Sequence, residues 1–158
     1  MYKIYAYPAG NLNNRQLLYE PGNRNAILLS PKLTREVSKA GSLYFTMDRS
    51  HPLYDSLPKM RTVVSVLQDG REAWRGRILN HEADWYNRRV MYCEGALAFL
   101  NDSCLTPFNF EGTLKEFLQH LLDAHNSMMG DPLKCFELGT VTAALGDLRV
   151  HFGDADQY

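Results

Sequence analysis

KMRTVVSVLQDGREAWRGRILNHEADWYNRRVMYCEGALAFL, residues Lys59–Leu100, decides the fold. Thr62 to Leu67 is rich in β-branched residues, which suit a half-buried pleated strand. Asp69-Gly70 follows, a dipeptide that tolerates positive φ at both centres of a two-residue hairpin turn. A return run from Glu72 to Leu79 carries Trp74 and Ile78, and the chain continues through His81 and Glu82. A second reversal is expected at Trp85-Tyr86-Asn87, and Val90 to Glu94 supplies a third strand. Three antiparallel strands in succession make a meander, which the rest of the chain must extend or pack upon.

The register of the first hairpin stays open at this level. A strict two-residue turn sets Ser65 opposite Trp74, whereas a three-residue turn with a left-handed Gly70 sets Val64 there. One residue of slip exchanges the two faces of a strand. Gly76, inside the return strand, points to a bulge or a close backbone approach. The expectation is a twisted hairpin with Trp74 buried and Arg75 facing the other way.

With 158 residues, 45% of them hydrophobic and 22% charged, the chain has the composition of a folded domain rather than a disordered one. It is long enough to bury a core without disulfide staples. No apolar run approaches the roughly 20 residues a membrane span needs. The opening MYKIYAYPAG alternates like a strand rather than a secretory leader, so synthesis in the cytoplasm is expected. Cys93, Cys104 and Cys135 form no Cys-x-x-Cys and read as reduced, mostly buried thiols. The net charge of −1 hides an asymmetry: residues 1–92 carry +6 and residues 93–158 carry −7. Ordinary solvated faces account for such a split, and so does steering of a partner or a second copy.

Taken in order, Tyr2–Tyr7 and Arg15–Glu20 read as strands, the second closed by Pro21-Gly22. Ile27–Leu29 is a short run halted by Pro31, which suits a strand start or an edge. Leu33–Val37 and Leu43–Met47 flank a hairpin loop in which Gly41 takes the difficult φ. Leu53–Leu57 is at most one helical turn. Beyond the meander, Ala96–Asn101 reads as a short helix with Leu97 and Leu100 on one side, and Pro107 forces an extended stretch through Phe110. Thr113-x-x-Glu116 fits a capping box. Leu114, Phe117, Leu118, Leu121, Leu122 and His125 then form one apolar stripe, ending near Asn126. Full burial of its five hydrophobes would contribute roughly 1.5–3 kcal/mol each. After Asp131-Pro132, Cys135–Thr142 and Leu148–Phe152 look β-like. The expected organisation is α+β and mainly antiparallel: a barrel-like twisted sheet over 1–110, a long amphipathic helix over 111–130 packing on it, and the start of a second, incomplete domain over 131–158. The structural positions singled out are Asp69, Gly70, Trp74, Gly76, Leu118 and Leu121.

The chemistry-bearing residues do not assemble into a motif. His120 and His125 are five apart and fall on different helix faces, a poor metal pair. An enzyme would need Cys93 or Cys104 beside a histidine in a cleft, with a depressed thiol pKa. Asp84, Glu94, Asp102 and Glu111 mark no acid–base pair, and no phosphate loop is present. No catalytic residue, metal ligand or cofactor is expected. Arg61, Arg71, Arg75, Arg77, Arg88 and Arg89 cluster on the meander, interleaved with Trp74, Trp85, Tyr86 and Tyr92. As one exposed face these would make a small nucleic-acid-binding β module; paired with Glu72, Glu82 and Asp84 they are an ordinary sheet exterior.

Three segments together resemble the N-terminal part of phage tail-tip or baseplate hub proteins, the prophage endopeptidase tail or tail-associated lysin family. They are Leu43-Tyr44-Phe45-Thr46-Met47 with His51-Pro52-Leu53-Tyr54, then Asp69-Gly70-Arg71-Glu72-Ala73-Trp74-Arg75-Gly76-Arg77-Ile78, then Cys93-Glu94-Gly95-Ala96-Leu97-Ala98-Phe99-Leu100-Asn101-Asp102-Ser103 with the helix ending His125-Asn126. The likeness covers residues 25–140, with Trp74 standing where a smaller aromatic is expected. It implies a β-barrel-like hub domain in a virion tail, assembled as a trimer under the tail tube. The implied partners are further copies of itself, the distal tail ring and the tape measure, with no membrane in this segment. DNA would pass through the assembly without sequence-specific binding. Lytic or receptor-binding activity would reside in C-terminal modules outside these 158 residues, leaving this segment a structural role.

Overall fold

A computed structural model describes residues 1–8, 13–142 and 146–153. The chain divides into two compact units, Met1–Phe99 and Leu100–Tyr158. In the first, β1 (Tyr2–Tyr7), β2 (Gln16–Tyr19), β3 (Leu29–Thr34), β4 (Ser42–Met47), β5 (Val63–Gln68), β6 (Arg71–Ala83) and β7 (Arg89–Gly95) form one antiparallel sheet. Its order is β2-β1-β5-β6-β7-β4-β3. The meander is the middle of this sheet, and one hairpin extends it on either side.

The first hairpin adopts neither register expected from the pattern. Asp69 and Gly70 take φ of 51° and 81°, and Gln68 faces Arg71 across a strict two-residue turn. Leu67 faces Glu72, but Val66 then faces Trp74, so Ala73 is an extra residue. This bulge reconciles two demands: the turn keeps both left-handed residues, and Trp74 is brought onto the face of Val66. The Met1 ammonium pairs with the Asp69 carboxylate, and Asp69 N–H donates to Met1 O at 3.0 Å, tying β1 to the turn. At the second reversal, Asp84 Oδ1 accepts from the Tyr86 and Arg88 amides at 2.9 Å each, while Oδ2 accepts from Arg88 Nε at 2.7 Å. Those bonds, led by the one from the Arg88 side chain, hold the Asp84 carboxyl below its usual range.

One face of the sheet carries the core: Ile4, Leu43, Phe45, Met47, Val64, Val66, Ile78, Met91 and Cys93 all belong to one buried cluster. The sheet curls around it, because Tyr19 of β2 and Leu33 of β3 line the same cleft although they lie at opposite ends of the strand order. The result is a curled half-barrel, β-dominated α+β in class. Pro31 does not halt its strand. It lies within β3, where the register skips between Leu29 and Lys32, and β3 is an edge strand on which a missing N–H breaks no ladder.

Trp74 belongs to the buried cluster and also lies directly against backbone. A Cβ on Gly76 would fall 2.1 Å from Glu94 O and 2.3 Å from the indole; one on Gly95 would fall 1.6 Å from Ala40 O and 3.0 Å from the indole nitrogen. Gly76 and Gly95 face each other across β6 and β7. The indole N–H donates to Ala40 O at 3.3 Å, and Gly95 N–H donates to Gly41 O at 3.0 Å. Gly41 takes φ of 70°, as expected for this loop.

The chain then forms a 3-10 helix, Ala96–Asp102, that buries Phe99 and leaves Leu97 exposed. The three-residue repeat keeps Leu97 and Leu100 on one side, as expected, but the buried side is the one that carries Phe99. In the second unit, β8 (Phe108–Gly112) pairs with β9 (Leu148–Phe152), and α1 spans Leu114–Met128. The capping box is present: Glu116 N–H donates to Thr113 Oγ1 at 3.3 Å, and Thr113 N–H to Glu116 Oε2 at 2.8 Å. Phe117 packs on Phe110 and Phe108, with ring centroids 5.3 and 6.4 Å apart, and His120 packs on Phe108 at 4.7 Å. The helix runs past Asn126 because that carboxamide is used elsewhere. It donates to Phe136 O at 2.7 Å and accepts from Phe136 N–H at 2.9 Å. Those bonds take the backbone groups a strand would need, and Cys135–Thr142 forms none, contrary to its β-like pattern.

Removing the indole should therefore open a core. Trp74→Ala is expected to cost about 3–5 kcal/mol in urea melts, and Gly95→Ala on the order of 3 kcal/mol because its Cβ meets backbone. A loss under about 1 kcal/mol in both would mean that Trp74 is not seated as described.

Candidate functional site

The sheet ends at β2 and β3 without joining them, and the two margins border a cleft of about 370 Å³ whose lining includes Tyr2, Ile4, Tyr19, Leu33, Val66 and the charged Arg35. An unpaired edge is a template for another chain unless it is covered, charged or bent. Each margin here is modified. β3 carries Pro31 and a left-handed Ser30 at φ 48°. β2 is four residues long, and its register against β1 shifts so that Leu18 is the extra residue.

His51 braces the β2 margin. Its Nε2 lies 3.0 Å from Leu18 O, and Leu53 N–H donates to its Nδ1 at 3.1 Å. These partners define a neutral ring with the proton on Nε2. Burial holds its pKa below the ordinary 6.5, with the Leu18 bond opposing. The sequence marks His51 only as a loop residue; the adjoining Leu53-Tyr54 is the one sign that this loop turns inward.

The positions singled out from sequence fall in three places. Asp69 and Gly70 form the β5–β6 turn, Trp74 and Gly76 form the indole seat, and Leu118 and Leu121 lie half-buried on α1. The meander arginines do not share a face. Arg77 is buried, bonded to Glu94 Oε1 at 2.6 Å and lying over the Phe99 ring at 5.3 Å. Arg75 bonds Glu72, Arg88 bonds Asp84, and Arg89 reaches Tyr54 O at 2.5 Å and Asp55 at 2.8 Å. Trp74 is inside while Trp85 and Tyr86 stand out at 95% and 75% exposure, so the interleaved aromatics form no continuous platform.

Cys93 is buried, and burial pushes its thiol pKa up, the reverse of what a nucleophile needs. All three thiols are free, but Cys104 and Cys135 are exposed, so the expectation of mostly buried thiols holds for Cys93 alone. Among the described residues no three His, Cys, Asp or Glu side chains come together as metal ligands. His125 is tied structurally, 2.8 Å from Ser103 Oγ and 3.1 Å from Lys134 O. No helix among the described residues is long and apolar enough to cross a membrane. The chain matches no family model and no curated protein.

The brace has a pH signature. His51 and His81 are both depressed in the fold by burial, so between their folded values and about 6.5 the unfolded chain binds protons that the folded chain does not. Stability is therefore complete above about pH 6.5 and falls as the pH drops below it, before the carboxylates titrate. Chemical unfolding at a series of pH values should show this slope, and His51→Asn should remove part of it. A flat profile from pH 7 to 5 would contradict the buried neutral ring.

Proposed function

We propose that this chain is a structural subunit of a phage or prophage tail tip, a baseplate-hub segment that assembles through the margins of its curled sheet. The observation that carries the reading is the open half-barrel: a fully formed core with two sheet edges left unjoined around a cleft of mixed polar and apolar lining. A fold whose strands end this way is completed by closure or by neighbours, and a ring of copies supplies neighbours. The three-segment resemblance to tail-tip hub proteins supports the same role and gives trimer as the closed state. The further partners are the distal tail ring and the tape measure, with DNA passing without base-specific contact. Catalysis belongs to other modules of such proteins.

Charge supports a head-to-tail contact. Residues 1–92 carry +6 and residues 93–158 carry −7, so the basic part of one copy attracts the acidic part of the next. The amphipathic stripe of α1 offers a second contact, because Leu118, Leu121 and Leu122 are only half-buried within their unit. Full burial of such side chains in an assembly is worth roughly 1.5–3 kcal/mol each.

Sedimentation velocity over a wide concentration range tests the proposal. A monomer giving way to a trimer as concentration rises, with the transition moving to higher concentration as salt is added, is the expected outcome. A strict monomer at every concentration and ionic strength, or a trimer indifferent to salt, would contradict the mechanism.

A further inference from the structure

At the end of the sheet beside the β6–β7 turn, the core-bearing face changes character. Met47 and Met91 are fully buried there, and the next positions along this face are Arg89, which pairs with both Met47 and Ala83, and His81, which pairs with Met91. Apolar strand faces end at solvent, but this one ends in a concavity of about 510 Å³ lined by Arg49, Tyr54, Asp55, His81, Asn87 and Arg89. Four segments supply it: Arg49, Tyr54 and Asp55 come from the β4–β5 connection, His81 from β6, Asn87 from the β6–β7 turn, and Arg89 from β7. The frame is rigid. Arg89 lies over the Tyr54 ring at 4.4 Å and bonds Tyr54 O and Asp55, while Tyr54 Oη donates to Asn87 O at 2.6 Å.

Within that frame two groups lack partners. Arg49 is exposed and forms no ion pair among the described residues, and Nδ1 of His81 is buried without a hydrogen-bond partner. A buried polar atom left unpaired is costly, and this one lies within the wall of the concavity, beneath its surface. The charged groups around the ring are Arg49, Lys59 and Asp55 on the β4–β5 connection and Arg89 on β7. Lys59 Nζ is held on Asn80 Oδ1 at 2.8 Å, and Asp55 is the one carboxylate lining the concavity, 84% exposed at its side chain. Of the lining residues, two cations, Arg49 and Arg89, stand against one solvated carboxylate, a surplus of one positive charge, with Lys59 close by.

We propose that this concavity is a binding site for a compact oxyanion, a carboxylate or phosphate group carried by a larger ligand, gripped by Arg49 and Arg89, with the His81 ring in the wall beside them. Guanidinium groups suit such ligands because their N–H groups match the spacing of two oxyanion oxygens. The neighbouring cations fit the same picture: burial first, then Lys59 and Arg89, hold His81 below its ordinary pKa, and a bound anion opposes that field. The exposed Trp85 and Tyr86 stand on the adjoining turn, where an apolar part of the same ligand can lie.

The test is a titration of the intact chain, followed by the His81 ring proton signals, with inorganic phosphate in one arm and acetate in another, at constant ionic strength set with chloride. A saturable shift of the His81 signals, with the His51 signals unmoved, is expected. Saturation in one arm alone assigns the class of anion. Arg49→Ala should weaken the binding by about tenfold or more, the usual loss for one charge-assisted contact, and Arg71→Ala, remote on the β5–β6 turn, should leave it unchanged. Shifts that grow linearly without saturating in both arms, or an affinity equal in the Arg49→Ala and unsubstituted proteins, would overturn the proposal.

Discussion

The seating of the Trp74 indole on the glycine backbone of β6 and β7 is the contact from which the rest of the first unit follows. The ring needs flat backbone beneath it, and Gly76 paired with Gly95 supplies that. Its N–H needs an acceptor in a dry place, and Ala40 O supplies that from the β3–β4 loop. The same contact thus joins the middle of the meander to the loop of the flanking hairpin. It also dictates the hairpin register: only with Ala73 extruded does a two-residue Asp69-Gly70 turn put Trp74 on the core face. The bulge is a consequence of two local preferences that a regular ladder cannot satisfy together.

An indole at one place, and the polar His81–Arg89 end at another, leave the curled sheet filled but unclosed. Its margins are altered rather than sealed: a proline and a left-handed serine on β3, a bulge braced by His51 on β2. Such devices discourage indiscriminate strand addition while leaving a shaped cleft between the margins. That combination suits a subunit with one intended set of neighbours, which is the requirement a tail-tip ring imposes. The second unit is built differently. Its small sheet and α1 are held by aromatic contacts among Phe108, Phe110, Phe117 and His120, and by the hydrogen bonds of His125 and Asn126.

Much of the fold is legible in the sequence wherever period and turn chemistry agree. Tyr2–Tyr7 alternates and is a strand with those bounds; the run before Asp69-Gly70 is β5; Thr113 and Glu116 cap α1 as their spacing requires. What sequence does not reveal are competitions settled in three dimensions. Gly95 looks like a turn glycine, but the close passage of Ala40 O is what excludes a side chain there. Pro31 marks an edge, as its position suggests, but the strand runs through it instead of stopping. Cys135–Thr142 has a strand's composition, yet the Asn126 carboxamide occupies the Phe136 backbone. The site at His81, Arg49 and Arg89 is invisible in the linear chain, where the three are 8 to 40 residues apart and only the sheet register places two of them on one face.

The two tryptophans provide the most direct measurement. Trp74 is buried with its indole N–H bonded to Ala40 O, and Trp85 is 95% exposed on a turn. Hydrogen exchange at the two indole N–H groups, followed by NMR, should separate them completely. The Trp74 proton should exchange only through global unfolding, with a protection free energy equal to that from denaturant melts, while the Trp85 proton exchanges at the rate of a free indole. Exchange of the Trp74 proton by local opening, well below the global free energy, would contradict the account that its seat holds the sheet together.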